Sequence, residues 1–202
     1  LITSKLMHIE SLAVPVSCNT AIEKSEWFKQ VNRTKIGSPY VIAEFDELNK
    51  SSTSVAGFEA NGGFLLGSDV LVNGKTLSAL PTRDAVLPAI ILFVAGKGNG
   101  ISEVMRQVPE RFTSSDRIKD FAREKSLNLI ELTKSKPEQF LASLPLEGKV
   151  VNQDLTDGLR LTLDSGDILH LRPSGNAPEL RCYAESDKQE KADSLVVLAL
   201  SA

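Results

Sequence analysis

The chain has 202 residues, 42% hydrophobic and 24% charged, an ordinary globular composition with room for one large domain or two small ones. Its net charge of −3 gives no global positive field for nucleic acid or an anionic membrane, so an anionic ligand must be held by a local cluster of cations and backbone N–H groups. Two separated cysteines (Cys18, Cys182) and two histidines (His8, His170), with no C-x-x-C, argue against a structural zinc site and for a reduced, cytoplasmic protein, and no apolar run reaches the roughly 18 residues of a membrane span.

The opening Leu1-Ile2-Thr3-Ser4-Lys5-Leu6-Met7 is partly apolar from its first position and has neither a basic n-region nor a cleavage pattern. It reads as the inside of a folded element, so the sequence is expected to belong to a longer protein. Ser11–Val16 is a strand candidate. Asn19-Thr20 can cap a helix over Ala21–Gln30, whose Ile22, Trp27 and Phe28 share an apolar face. Val31–Ile36 reads as a second strand. A helix over Tyr40–Leu48 follows, with Pro39 acceptable in its first turn. Ser54–Phe58 and Phe64–Gly67 are short extended runs on either side of a loop at Glu59–Gly63. Thr82 or Asp84 caps a helix running to Ala95, and Pro88 removes one hydrogen bond from its start. Alternation of this kind predicts a mixed, mainly parallel sheet with helices over residues 1–100.

Gly96-Lys97-Gly98-Asn99-Gly100 is a break, and residues 101–202 form the second expected domain. Ile101–Val108 is a short helix stopped by Pro109. Ser114-Ser115-Asp116 reads as a helix start, and residues 134–145 hold two prolines and a short helix. The period then changes to two. Leu159, Leu161 and Leu163 alternate with polar residues, Ile168–Leu171 continues the pattern, and Asp157-Gly158 and Asp164-Ser165-Gly166-Asp167 supply turns. Glu179–Ala184 is a strand, and Ser186 caps a last helix. This half is expected to be a small α+β domain with an antiparallel sheet.

The richest chemistry lies in Arg172-Pro173-Ser174-Gly175-Asn176-Ala177-Pro178-Glu179-Leu180-Arg181, with a strand on each side. Two prolines stiffen the ends, and Gly175 permits an unusual backbone angle between them. Such a turn can aim several N–H groups at an anion. Ser174 and Asn176 add side-chain donors, while Arg172 and Arg181 can grip phosphate bidentately. Spacing alone leaves a plain hairpin loop with exposed arginines equally open. Asp154, Asp157, Asp164 and Asp167 sit in turns, where Asp bonds its own backbone, so no metal site is expected. His170 lies within a strand pattern and reads as structural, and Cys18 reads as a buried thiol.

This segment resembles the R-x-S-G-T-E-P-x-L-R phosphate-binding loop of the α-D-phosphohexomutases, the family of phosphomannomutases and phosphoglucomutases. Arg172, Ser174, Gly175, Pro178, Leu180 and Arg181 match, Asn176 replaces the usual Thr, and Ala177 replaces the usual Glu. Gly57-Phe58-Glu59-Ala60-Asn61-Gly62-Gly63 resembles the family's sugar-binding G-E-x-S-G, with Glu59 on the Glu and Asn61 on the Ser. A carboxylate there can accept two sugar hydroxyls, and the glycines let the backbone approach the ring. Ser38, in Gly37-Ser38-Pro39, takes a polar position that faces the sugar in the family. Thr82-Arg83-Asp84-Ala85 resembles the start of the helix closing the third domain, and 109–117 the linker into the fourth.

The resemblance thus implies domains three and four of a four-domain enzyme. The parent would interconvert hexose 1-phosphate and 6-phosphate through a phosphoserine and a bisphosphate, with phosphomannomutase the first expectation. The hexose itself and the oligomeric state are not fixed by these residues. Neither a T-A-S-H-N-P-like serine loop nor a D-G-D-x-D-R-like magnesium loop occurs in the sequence. The resemblance therefore places Mg²⁺ and the catalytic serine outside these residues, with hexose phosphate as the partner and this chain inactive alone. A stand-alone sugar-phosphate-binding module is the alternative.

Overall fold

β1 (Ser11–Pro15) is buried at every position in the computed structural model, which describes residues 1–144, 146 and 148–201. The chain divides into two units, Leu1–Glu110 and Arg111–Ala202. In the first, β1 lies between two parallel neighbours, β2 (Gln30–Thr34) and β3 (Val55–Phe58). β4 (Phe64–Leu66) then runs antiparallel to β3, beyond it a fifth strand antiparallel to β4 at Leu80–Asp84, and a small hairpin of β5 (Val70–Val72) and β6 (Lys75–Leu77) stands apart, so the fifth strand is β7. The order β2-β1-β3-β4-β7 makes a mixed sheet.

Both faces of this sheet are covered, which is why β1 has no polar alternation. Leu12, Val14, Ile22, Ala56, Phe64 and Leu66 share one core, and Ala13, Val41, Phe45, Leu48, Val55 and Leu65 share the other. The second core is roofed by two short helices. α1 (Ile2–Leu6) and α2 (Ala21–Lys24) come first in the chain, and the roof is α3 (Ser38–Ala43) and α4 (Phe45–Leu48). The helix expected over Ala21–Gln30 stops at Lys24. Ser25 Oγ donates to Ile22 O at 2.7 Å, and Glu26 turns left-handed at φ 54°, sending the chain back into β2. Residues 80–84 are strand rather than helix. Asp84 still serves as the expected start signal, because its Oδ1 accepts from Val86 N at 2.7 Å and Leu87 N at 3.2 Å as α5 (Val86–Ala95) begins. α5 has no buried residue. Leu87 and Ile91 lean on the core while Val86, Ile90, Phe93 and Val94 face out, and α6 (Ile101–Met105) follows it.

The second unit is antiparallel throughout, in the order β8-β12-β11-β10-β9. Its strands are β8 (Phe112–Ile118), β9 (Val150–Asp154), β10 (Leu159–Leu163), β11 (Ile168–Pro173) and β12 (Leu180–Ser186). Ser114-Ser115-Asp116, expected to open a helix, is the middle of β8. Seven residues pair with β12, and that ladder outweighs the local capping tendency of Ser and Asp. The helix starts later, as α7 (Arg123–Ser135), with α8 (Pro137–Ser143) after it; Pro145 of the expected 134–145 stretch lies outside the described residues. Ser186 ends β12 instead of capping, its Oγ donating to Asp167 Oδ1 at 2.7 Å, and α9 (Gln189–Ser201) follows. Leu159, Leu161, Leu169, Leu171, Leu180 and Cys182 meet Ile130, Leu195, Val196 and Ala199 on one face of the sheet. Arg111 fastens the first residues of the unit. Its Nε donates to Glu185 Oε1 at 2.5 Å and its Nη2 to Gly166 O at 2.8 Å, with both ion-pair side chains buried.

Gly57, placed by its sequence in a ligand loop, is used by the fold instead. It pairs with Ala13 across β1 and β3, and a Cβ there would lie 2.3 Å from Val41 Cγ1 and 2.6 Å from Ala13 O. Neither neighbour can retreat without opening the ladder or lifting α3. Gly57→Ala is therefore expected to destabilise the first unit by at least about 2 kcal/mol, read as a lower urea midpoint at unchanged m-value. Gly175→Ala, where a Cβ meets open space, serves as the control and should leave the midpoint in place.

Candidate functional site

In the first unit, parallel pairing sends the C-terminal ends of β1, β2 and β3 to one edge of the sheet, where ligands of open α/β sheets bind. Arg33 braces that edge. Its guanidinium donates to Pro15 O at 3.1 Å, Cys18 O at 2.7 Å and Asn19 O at 3.1 Å, and pairs with Glu23 at 2.6 Å. Cys18 is a buried thiol, as its sequence suggested. Burial pushes its pKa up to about 11, so it is no nucleophile near neutral pH. Ser38 stands at the head of α3, just beyond β2 and half-buried.

Glu59 and Asn61 share the turn between β3 and β4. Glu59 N donates to Gly63 O at 2.9 Å and Gly62 N to Glu59 O at 3.0 Å, while Asn61 Oδ1 accepts from Gly63 N at 3.1 Å. Asn61 therefore shapes the turn with its oxygen and leaves its exposed amide nitrogen for a ligand. Glu59 is only 5% exposed and is not a solvated carboxylate. Arg83 Nε donates to its Oε2 at 2.7 Å and Nη2 to its Oε1 at 3.4 Å. Arg83 thus joins the candidate site, although its neighbourhood in sequence indicated only a helix start. Pairing of β7 with β4 brings it to Glu59, and no spacing rule along the chain foretells that contact.

In the second unit, the loop 174–179 joins β11 to β12. Ser174 N donates to Glu179 O at 2.8 Å, Glu179 N to Ala177 O at 2.8 Å and Asn176 N to Ser174 Oγ at 3.4 Å. From outside, Phe121 N donates to Pro178 O at 2.8 Å and Arg123 Nη1 reaches Ser174 O at 3.5 Å. Ser174 is buried, whereas Gly175 and Asn176 are exposed at the tip. The unusual backbone angle expected at Gly175 is not found: its φ lies outside the left-handed region, because the side-chain and backbone bonds of Ser174 close the turn without it. What Gly175 contributes is empty space above the loop.

Arg172 and Arg181 face each other directly across β11 and β12. Arg172 Nε donates to Asp157 Oδ2 at 2.8 Å. Asp157 is carried to that place by Gly158, which sits at φ 86° with its Cα so near β11 that a Cβ would lie 2.3 Å from Leu171 O. Arg181 Nη2 reaches Glu179 Oε2 at 3.3 Å, and its Nε is buried without a hydrogen-bond partner among the described residues. The same guanidinium also bonds Tyr183, which with Glu179 keeps it in its charged form. The pair, with Ser174 and Asn176 between them, can hold a phosphate-sized anion. Among the described residues no three His, Cys, Asp or Glu side chains gather as a metal site, and no helix is long and apolar enough to cross a membrane.

Comparison with known proteins places both units in one family. Residues 2–112 match the family described as "Phosphoglucomutase/phosphomannomutase, alpha/beta/alpha domain III", and residues 105–199 match its "C-terminal domain". The chain is 50% identical over 202 residues to a phosphomannomutase of Salmonella muenchen, covering all of this chain and 42% of that protein. It is 41% identical to a phosphomannomutase of Sinorhizobium fredii, of which it covers 43%. The chain thus spans less than half the length of the curated relatives it matches. Among solved structures, a phosphoglucomutase/phosphomannomutase family protein of Burkholderia thailandensis superimposes with TM-score 0.62 at 13% identity, over 97% of this chain and 40% of that one. N-acetylphosphoglucosamine mutase of Aspergillus fumigatus, solved with GlcNAc-6P and magnesium, superimposes with TM-score 0.59 at 14% identity, over 99% of this chain and 42% of that one.

His170 lies next to this cluster and makes the stability of the fold depend on pH. Its Nε2 is 2.6 Å from Asp157 O, its ring stacks on Tyr183 with centroids 5.4 Å apart, and its buried Nδ1 has no partner among the described residues. Burial holds the imidazole below its ordinary 6.5, against the pull of Asp157 and with the help of Arg160 and Arg172. Between the folded value and 6.5, the unfolded chain binds a proton that the folded chain refuses. Stability is then complete above about pH 6.5 and falls as pH drops through the folded value. Urea midpoints should decline from about pH 6.5 downward, and the His170 ring resonances should still report a neutral imidazole where a free histidine is half protonated. A ring that titrates at 6.5 would contradict this account.

Proposed function

Because the chain belongs to the phosphoglucomutase/phosphomannomutase family, we propose that it is the C-terminal, sugar- and phosphate-gripping part of a cytoplasmic phosphohexomutase of the phosphomannomutase kind. In such an enzyme a phosphoserine gives its phosphoryl group to a hydroxyl of a hexose phosphate. The bisphosphate turns over, and its other phosphoryl group returns to the serine oxygen. The chemistry needs one site for the phosphate that is not in transfer and one that accepts the sugar in both orientations. The row of Arg172 and Arg181 flanking the Ser174 loop is the observation that carries the first assignment. Glu59 suits the second: each oxygen bound to Arg83 keeps a further lone pair for a sugar hydroxyl, and the guanidinium keeps the carboxylate aimed. Asn61 and Ser38 add polar contacts from the same sheet edge.

The phosphoserine and Mg²⁺ would be supplied by residues outside this chain. That the relatives extend well beyond the matched region supports a piece of an enzyme over a stand-alone binding module. The two buried, unpaired cysteines suit a reducing compartment.

The reading is tested by titrating the 202-residue chain with inorganic phosphate and with mannose and glucose phosphates, following amide resonances. Shifts should begin at residues 173–178, and Arg172→Lys should weaken binding about tenfold by removing the bidentate fork. The largest shifts elsewhere would count against the phosphate loop. Glu59→Gln should weaken hexose phosphate while sparing inorganic phosphate; equal loss of both would remove the sugar assignment. The chain alone, with Mg²⁺ and a hexose bisphosphate, is expected to show no mutase turnover.

A further inference from the structure

The arginine row does not end at Arg181. β8 pairs with β12 so that Arg117 lies directly opposite Arg181, on the side away from Arg172. Strand spacing puts three guanidinium-bearing backbones about 4.8 Å apart. Arg172 pairs with Asp157, and Arg181 and Arg117 share one carboxylate. Arg117 Nε lies 3.3 Å from Glu179 Oε1, and Arg181 Nη2 lies 3.3 Å from Glu179 Oε2. Both contacts are longer than the 2.8 Å of Arg172 to Asp157. Glu179 is itself part of the phosphate loop, since its carbonyl accepts the closing bond from Ser174 N. A concavity of about 270 Å³, lined by Ser115, Asp116, Arg117, Arg181 and Tyr183, opens beside the pair. Asp116 Oδ1 accepts from Arg117 N at 2.7 Å, so one of its oxygens is held by the backbone of β8.

A carboxylate this close to an anion site is a liability. Left alone with Arg181, it would neutralise that guanidinium and repel a phosphate. We infer that Arg117 is a positioning residue for phosphate capture: it retains Glu179 through Oε1 while Arg181, still bonded to Tyr183, releases Oε2 and turns the Nη2 donor freed there to the incoming anion. Arg117 does not touch the phosphate; it draws the competing negative charge to its own side of the loop. This inference rests on reading 174–179 as a phosphate loop.

A double-mutant cycle on the full chain tests it, with inorganic phosphate as the probe and amide shifts as the readout. Arg117→Ala should weaken phosphate binding about fivefold, the scale of a partly exposed ion pair. Arg117→Lys should recover part of the loss by restoring the charge. Glu179→Gln in the Arg117→Ala background should return the affinity to the parent value, which a merely structural role for Arg117 would not produce. If the parent binds phosphate and Arg172→Lys weakens it, yet Arg117→Ala binds like the parent, the inference fails and the phosphate loop stands. If the double variant stays as weak as Arg117→Ala, Arg117 contacts the phosphate itself and the positioning role is overturned. If phosphate leaves the parent's 173–178 resonances unmoved, both the loop reading and this inference fall.

Discussion

Antiparallel pairing sets residues face to face, and in the second unit it sets three arginines in a row across β11, β12 and β8. Like charges directly opposite one another repel. The surrounding structure offsets that repulsion with few carboxylates: Asp157, delivered by the close approach of Gly158, and Glu179, divided between two guanidinium groups. The result is three guanidinium groups held by two carboxylates beside a loop closed by its own hydrogen bonds. The two prolines and the Ser174 bonds keep the loop from collapsing onto its own arginines.

The sugar site proposed for the first unit faces a different problem. Sugar hydroxyls are neutral and need fixed acceptors rather than a field. Glu59 is almost wholly buried, an arrangement that is costly for a carboxylate unless it is paired and hydrogen-bonded, and Arg83 supplies both. Arg33 ties three backbone carbonyls of the neighbouring loop, so the edge from which Ser38 and Glu59 project is stiff before any ligand arrives. Preorganisation of this kind lowers the ordering cost of binding.

Much of this was legible in the sequence where a local rule governs. The period-two run Leu159–Leu163, the turn at Asp157-Gly158 and the buried run Ser11–Pro15 each state their own conformation. The loop between two strands at 174–179 was legible too, from its prolines and glycine. What escaped were consequences of pairing at a distance. Ser114–Asp116 carry the local signature of a helix cap, yet β12 recruits them as an edge strand. Arg83 and Arg117 look like ordinary charged residues near a helix and a linker until β7 and β8 take their places. Gly57 and Gly175 traded roles: the first serves helix-on-sheet contact and the second leaves space, and neither fact follows from a glycine-rich spacing.

The exposed side of α5 has a bearing on solubility. Val86, Ile90 and Val94 are more than half exposed and Phe93 is 74% exposed, a run of apolar side chains turned to water on one short helix. Phosphate and sulfate are excluded from protein surfaces and strengthen apolar association. At high concentration these ions would therefore salt copies of the chain out through this helix, and the cohesion would grow with salt without saturating.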